Sequence, residues 1–252
     1  MLKTERMDRI RAALRAQGLT QMIVCDPKSV WYLTGVAYER LLALYLPTEG
    51  EPVLFLNRLF NVPEPPCRTV WHTDTDKPVA QIAEVVDADR PLGIDKEWPA
   101  KFLIPLMETH PCMQVVLSSD CVDDCRACKD AEEQALMREA SRINDAVNEA
   151  AKHYIKAGMT EREVAEFIDA QFRAHGCEGP SFTTIVSFGA NAADPHHEPD
   201  DTVLKEGDCV LFDMGCVKSR YCSDMTRTWF CGQPTEKQAA VHDLVRRANE
   251  AA

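Results

Sequence analysis

The stretch DCVLFDMGCVKSRYCSDMTRTWF, residues 208 to 230, constrains this chain more than any other part of it. Two strand-like segments flank a short connection, so the simplest pairing is an antiparallel hairpin. A turn centred between Lys218 and Ser219 places Asp213 directly opposite Asp224. Directly opposed residues have Cβ atoms about 4.5 to 5.5 Å apart on one face of the sheet, so the two carboxylates converge. Val210, Leu211, Phe212 and Met214 surround Asp213 and predict that it is buried. Two buried, opposed anions repel, and one carboxyl must take up a proton unless a cation sits between them. Two bridging carboxylates suit a pair of divalent metals about 3.5 to 4 Å apart, a centre that can ionise a water and hold a carbonyl oxygen. The spacing alone leaves two alternatives level with this one: a strand facing solvent with hydrated acids, or Arg227 paired with one of them.

Before the hairpin lies SFGANAADPHHEP, residues 187 to 199, a loop by its Asn191, Asp194 and two prolines. It carries His196 and His197 beside Glu198. Histidine can ligate a metal, exchange a proton or donate a hydrogen bond to a substrate carbonyl, yet loop histidines are often merely exposed.

The remainder reads as an α/β (α+β) chain in two parts. Apolar periodicity predicts a helix over 4–17 after a Thr4 cap, then strands at 21–25, 30–35, 41–46 and 52–56. A helix over 78–88, a strand at 92–95, a helix over 99–110 and a strand at 114–118 follow. From Lys129 the texture changes to a long helical run stopped by Gly158, and a second helix opens on the capping box Thr160 to Glu163. Strands are expected at 181–189, 208–215 and 221–230. Thr235 then caps an amphipathic helix with Val241, Leu244, Val245 and Ala248 on one face. The domain cut is placed at residue 122: 1–122 and 123–252.

Charge and cysteine usage narrow the function classes. With 28 Lys+Arg against 40 Asp+Glu the net charge is -12, and no basic block exists to neutralise a phosphate backbone or an anionic membrane surface. The expectation is no nucleic acid and no membrane partner, since the chain also lacks a signal-type apolar run and a run of about 18 apolar residues. Eleven cysteines, an odd number in a long chain, argue for reduced thiols and a cytoplasmic location. Cys121, Cys125 and Cys128 lack a second ligand pair at zinc-finger spacing and read as one side of a helical turn packed on the body.

PHHEP, then LFDMG, then SDMTRT resembles the metal-dependent peptidases of the pita-bread fold, in particular the Xaa-Pro aminopeptidases and Xaa-Pro dipeptidases (prolidases). Asp213 follows His196 by 17 residues and Asp224 follows Asp213 by 11, as in that family. RACKD at 126–130 is similar to the family's entry into its catalytic domain, and IVCDPKSVWYLTG at 23–35 to the opening of its creatinase-type N-terminal domain. The resemblance implies a creatinase-type α/β domain followed by a pita-bread catalytic domain. It implies Asp213 and Asp224 as metal ligands in a site of two divalent ions, manganese foremost, with cobalt or zinc as alternatives. It implies that His196 steadies the substrate carbonyl, with Thr226 and Arg227 supporting the second strand. Substrates would be peptides or dipeptides with proline in second position, and the protein a homodimer. His197 and Glu198 receive no role and are expected to be exposed. The family's other ligands, a histidine and two glutamates, lie beyond the segment that ends at Ala252, so the expectation is a complete N-terminal domain plus the first half of a catalytic one. A catalytically silent relative that binds or scaffolds is the competing reading.

Overall fold

The chain enters its fold through α1 (Thr4–Ala16), whose Met7, Ile10 and Leu14 share one buried face. Thr4 is already helical and Lys3 holds the cap position without a side-chain hydrogen bond, so the expected threonine cap is not made. The computed structural model describes residues 2–38, 40–60 and 64–252 and separates into two units, Met1–Lys129 and Asp130–Ala252, each considered by itself.

In the first unit α1 is followed by β1 (Gln21–Val24), α2 (Pro27–Thr34), β2 (Leu41–Pro47), β3 (Val53–Asn57) and β4 (Arg68–His72). Then come α3 (Pro78–Ala83), β5 (Leu92–Ile94), α4 (Ala100–Thr109), β6 (Val115–Leu117) and α5 (Asp120–Ala127). The six strands form one mixed sheet in the order β4-β3-β2-β1-β5-β6. Alternate side chains divide between two cores. Met22, Val24, Leu44, Leu46, Leu54 and Leu56 pack with α1, α2 and α5, whereas Ile23, Ala43, Tyr45, Val53 and Phe55 pack with α3 and α4. Such a sheet, covered on both faces, explains why its central strands are near-continuous apolar runs.

Residues 30–35, expected as a strand, are the second half of α2. The reason is local: the Asp26 side chain accepts from the Lys28 and Ser29 amides, Pro27 starts the helix, and Gly35 ends it at φ 70°. Arg126 donates to Asp26 Oδ2 at 3.2 Å and to Ser29 Oγ at 3.1 Å, so the RACKD segment is pinned to this cap. Helix α5 therefore packs within the first unit, with Cys121 and Val122 in its core, and the two compact units divide after Lys129. Burial, foremost, pushes the Cys121 and Cys125 thiols above their ordinary value, the opposite of what a metal-binding or reactive thiolate requires.

The second unit opens with α6 (Ala131–Tyr154) and α7 (Glu161–Ala174), both entered through reciprocal capping boxes, at Asp130/Glu133 and Thr160/Glu163. α6 ends at Tyr154, before the expected stop, because Ile155 turns extended; Gly158, at φ 96°, serves the next turn. There follow β7 (Gly179–Pro180), β8 (Ile185–Phe188), a 3-10 turn (Gly189–Ala193), β9 (Cys209–Met214), β10 (Cys216–Lys218), β11 (Tyr221–Cys222), β12 (Met225–Phe230) and α8 (Glu236–Ala251). Strands β12-β9-β8 form one antiparallel ladder and β11-β10-β7 another. Val164, Ile168 and Phe172 of α7, with Ala140, Val147 and Ala151 of α6, pack beneath Val186, Phe188, Val210, Phe212 and Met214.

Candidate active site

The hairpin turn is Ser219–Arg220, both at positive φ (49° and 67°), not the expected Lys218–Ser219. Two consecutive positive φ angles match the right-handed twist of the flanking strands in a two-residue hairpin. The register moves accordingly: Thr226, and not Asp224, stands opposite Asp213. Between the two ladder segments the strands approach closely at Gly215, where a Cβ would overlap the Ser223 carbonyl and the Ser181 hydroxyl.

Thr226 donates its hydroxyl to Asp213 Oδ1 at 2.8 Å, so the two share a face of the ladder. Asp224 lies in the link between β11 and β12, two residues before Thr226. Asp213 is half-buried, not buried as expected, because β9 alternates: Val210, Phe212 and Met214 point to the helices while Leu211 and Asp213 point away. Asp224 is exposed and lines a cavity of about 470 Å³ with Asn144, Asp145, Thr226, Arg227 and Asn249. Among the described residues neither aspartate forms an ion pair with Lys or Arg, Arg227 included; its guanidinium instead donates to the Thr226 carbonyl at 2.8 Å. By its chemistry the donor set suits divalent cations: two hard carboxylates without a Lys or Arg partner among the described residues, with one oxygen of Asp213 engaged by Thr226.

His196 is exposed in the loop after the 3-10 turn, its amide donating to Asp194 Oδ1 at 2.9 Å. His197, expected to be exposed, is not: its side chain is 15% exposed and Nε2 lies 2.6 Å from Oε2 of Glu161, which is completely buried. The Glu161 carboxylate also accepts from the Phe188 amide at 2.7 Å and Asn191 Nδ2 at 3.0 Å through Oε1, and from the Asp200 amide at 3.2 Å through Oε2. Glu161, His197 and Asp200 bring ligand-type atoms within 4.8 Å of one another, the one such group of three among the described residues. The sequence clue was faint: an acid directly after a helix cap, where its purpose reads as dipole stabilisation. Hydrogen bonds from Thr202, side chain first and backbone second, hold the Asp200 carboxyl below its ordinary value.

Comparisons with known proteins agree with this architecture. The Creatinase/Prolidase N-terminal domain model matches residues 6–128, and that of Metallopeptidase family M24 matches residues 135–252. A Staphylococcus aureus protein described as an uncharacterized peptidase is 30% identical over 243 residues, covering 91% of this chain and 67% of its own length. Among solved structures, the dipeptidase PepE of Mycobacterium ulcerans superposes with a TM-score of 0.87 at 30% identity, over 98% of this chain and 70% of that one. A recombinant prolidase from Thermococcus sibiricus gives 0.85 at 28% identity, over 100% and 71%. On these matches, taken with the two-unit architecture and the hairpin carrying Asp213, the chain belongs to metallopeptidase family M24, whose members use divalent metals, with a creatinase/prolidase-type N-terminal domain.

Proposed function

We propose that the protein is a dinuclear-metal Xaa-Pro peptidase, acting on dipeptides or on peptide N-termini with proline in second position. The observation that carries the proposal is the open face of β9, where Asp213 stands beside Thr226 with Asp224 two residues ahead of it, neither acid paired with Lys or Arg among the described residues. Asp213 and Asp224 would hold two divalent ions, with manganese the first choice and cobalt or zinc possible. Such ions, when bound, supply Lewis-acid polarisation and a nucleophile at neutral pH. The chain's own residues do the rest. The Thr226 hydroxyl fixes one oxygen of Asp213 and leaves the other free to ligate. His196, exposed and adjacent in sequence to an anchored residue, donates a hydrogen bond to the substrate carbonyl and steadies the charge that grows on it. The likeness to a solved prolidase and a solved dipeptidase supports the substrate class. The same reading includes a homodimer in the cytoplasm, which sedimentation and cell fractionation would test.

Manganese titrated into the chain by calorimetry is expected to bind, and Asp213→Asn to weaken that binding at least about tenfold through loss of a charged ligand. Hydrolysis of an Xaa-Pro dipeptide over its Xaa-Ala counterpart by the full-length protein is the matching activity readout. Full turnover by Asp213→Asn with added manganese would remove the assignment, and absence of metal binding in the wild type would favour the catalytically silent reading.

A further inference from the structure

The segment between Phe188 and Thr202 converges on one side chain at the start of α7. Glu161 is buried without exposure, and each of its oxygens meets two donors. Its backbone amide reaches the Thr202 carbonyl at 3.1 Å, and Asn191 also donates to Thr202 Oγ1 at 3.1 Å. Five of these contacts are made by backbone or side-chain amide donors. The sixth, from the His197 ring, is the one that selects a direction.

We infer that Glu161 and His197 are a positioning pair: by accepting the Nε2–H of His197, the buried carboxylate holds the loop so that His196 points outward. Both Glu161 oxygens already accept from N–H groups of Phe188, Asn191 and Asp200, so the carboxyl faces His197 as an acceptor and Nε2 at 2.6 Å is assigned as the donor. His196 and His197 end the turn that starts at Asp194, and their exposure differs: His197 is drawn inward onto Glu161 while His196 stays exposed. The Asp194 side chain and carbonyl, accepting from the His196 and His197 amides at 2.9 and 3.3 Å, close the turn ahead of them. A metal shared by Glu161, His197 and Asp200 fits the geometry less well. Two ligands of one ion, bound at about 2.0 to 2.2 Å, sit about 3 Å or more apart, whereas Oε2 and Nε2 are already in direct contact. The part played by the pair in catalysis rests on the reading of His196 above; the anchoring does not.

Amide hydrogen exchange by NMR on the full chain tests the anchor with three proteins: wild type, His197→Ala, and His197→Gln, whose side-chain amide nitrogen can occupy the place of Nε2. Exchange at Asp200 and along residues 194–202 should rise about tenfold or more in His197→Ala, the scale of a lost hydrogen bond to a charged group. Val164 to Phe172 should be unchanged, and His197→Gln should restore most of the protection. Equal exchange in wild type and His197→Ala, or no recovery in His197→Gln, overturns the pair. Zinc alone should leave the His197 ring signals in place; a shift abolished by Asp200→Ala overturns it in favour of a metal site. In a turnover assay of the full-length protein the alanine variant should lose kcat with little change in KM and the glutamine variant recover it. If His196→Ala turns over like the wild type, the catalytic reading of His196 fails while the exchange result still decides the anchor.

Discussion

Strands β3 and β9 are built from similar apolar residues and are used in opposite ways. In β3 all five positions are buried, with Leu54 and Leu56 in one core and Val53 and Phe55 in the other. In β9 burial alternates, so that Phe212 enters the helix-covered core while Asp213 beside it stays half-exposed. A strand packed on both sides leaves no volume for a hydrated ion or a peptide, and a charge there would have to be desolvated in full. A strand packed on one side can carry a carboxylate on its open face at little cost. Strand β3 therefore leaves no open face, whereas β9 leaves one for Asp213.

The contrast is most exposed to refutation by alanine substitutions along the two strands. Phe55→Ala should cost about 3 to 5 kcal/mol and Leu54→Ala about 2 to 5 kcal/mol, because each opens a cavity in a separate core. In β9, Phe212→Ala should cost about 3 to 5 kcal/mol but Leu211→Ala under about 1.5 kcal/mol, read from urea midpoints. Equal costs at 211 and 212 would break the comparison.

A smaller effect distinguishes the units by acid. Burial alone would raise the Asp26 carboxyl, but hydrogen bonds from the Ser29 side chain and the Ser29 and Lys28 amides, with the Arg126 charge, bring it below its ordinary 3.8. A depressed folded-state value stabilises the first unit above the unfolded value, and that contribution disappears as pH falls through the folded one. Asp26→Asn should thus destabilise at neutral pH and flatten the acid limb of the stability profile. An unchanged acid limb would show that the cap contributes nothing by charge. The smallest expected effect lies at the hairpin tip. Ser219→Asn, placing a residue tolerant of positive φ at the first turn position, should stabilise by a few tenths to about 1 kcal/mol.

How far the fold was legible depends on whether a signal was local. The capping box at Thr160 and the cap at Thr235 were readable because cap and partner are three residues apart; both form, Thr235 as a full box with Gln238. The strand at 41–46 and the helix at 131–154 follow from composition and period. The segment at 30–35 misled because VWYLT has strand-type residues; the helix there is imposed by Asp26, Pro27 and Gly35 outside or at its edge. β4, with its half-exposed RTVWH, carried no clear alternation and was not anticipated.

For the site the same division holds. The sequence by itself determined that a histidine loop and a hairpin with two aspartates occur at set spacing, since residue order and apolar alternation are one-dimensional properties. Only the tertiary structure decided three things. It decided the register, through which two residues accept positive φ, and so put Thr226 opposite Asp213. It decided which face of β9 is open, through where α6 and α7 pack. And it decided that His197 turns inward, because its partner Glu161 lies 36 residues away, a separation that no local pattern reports.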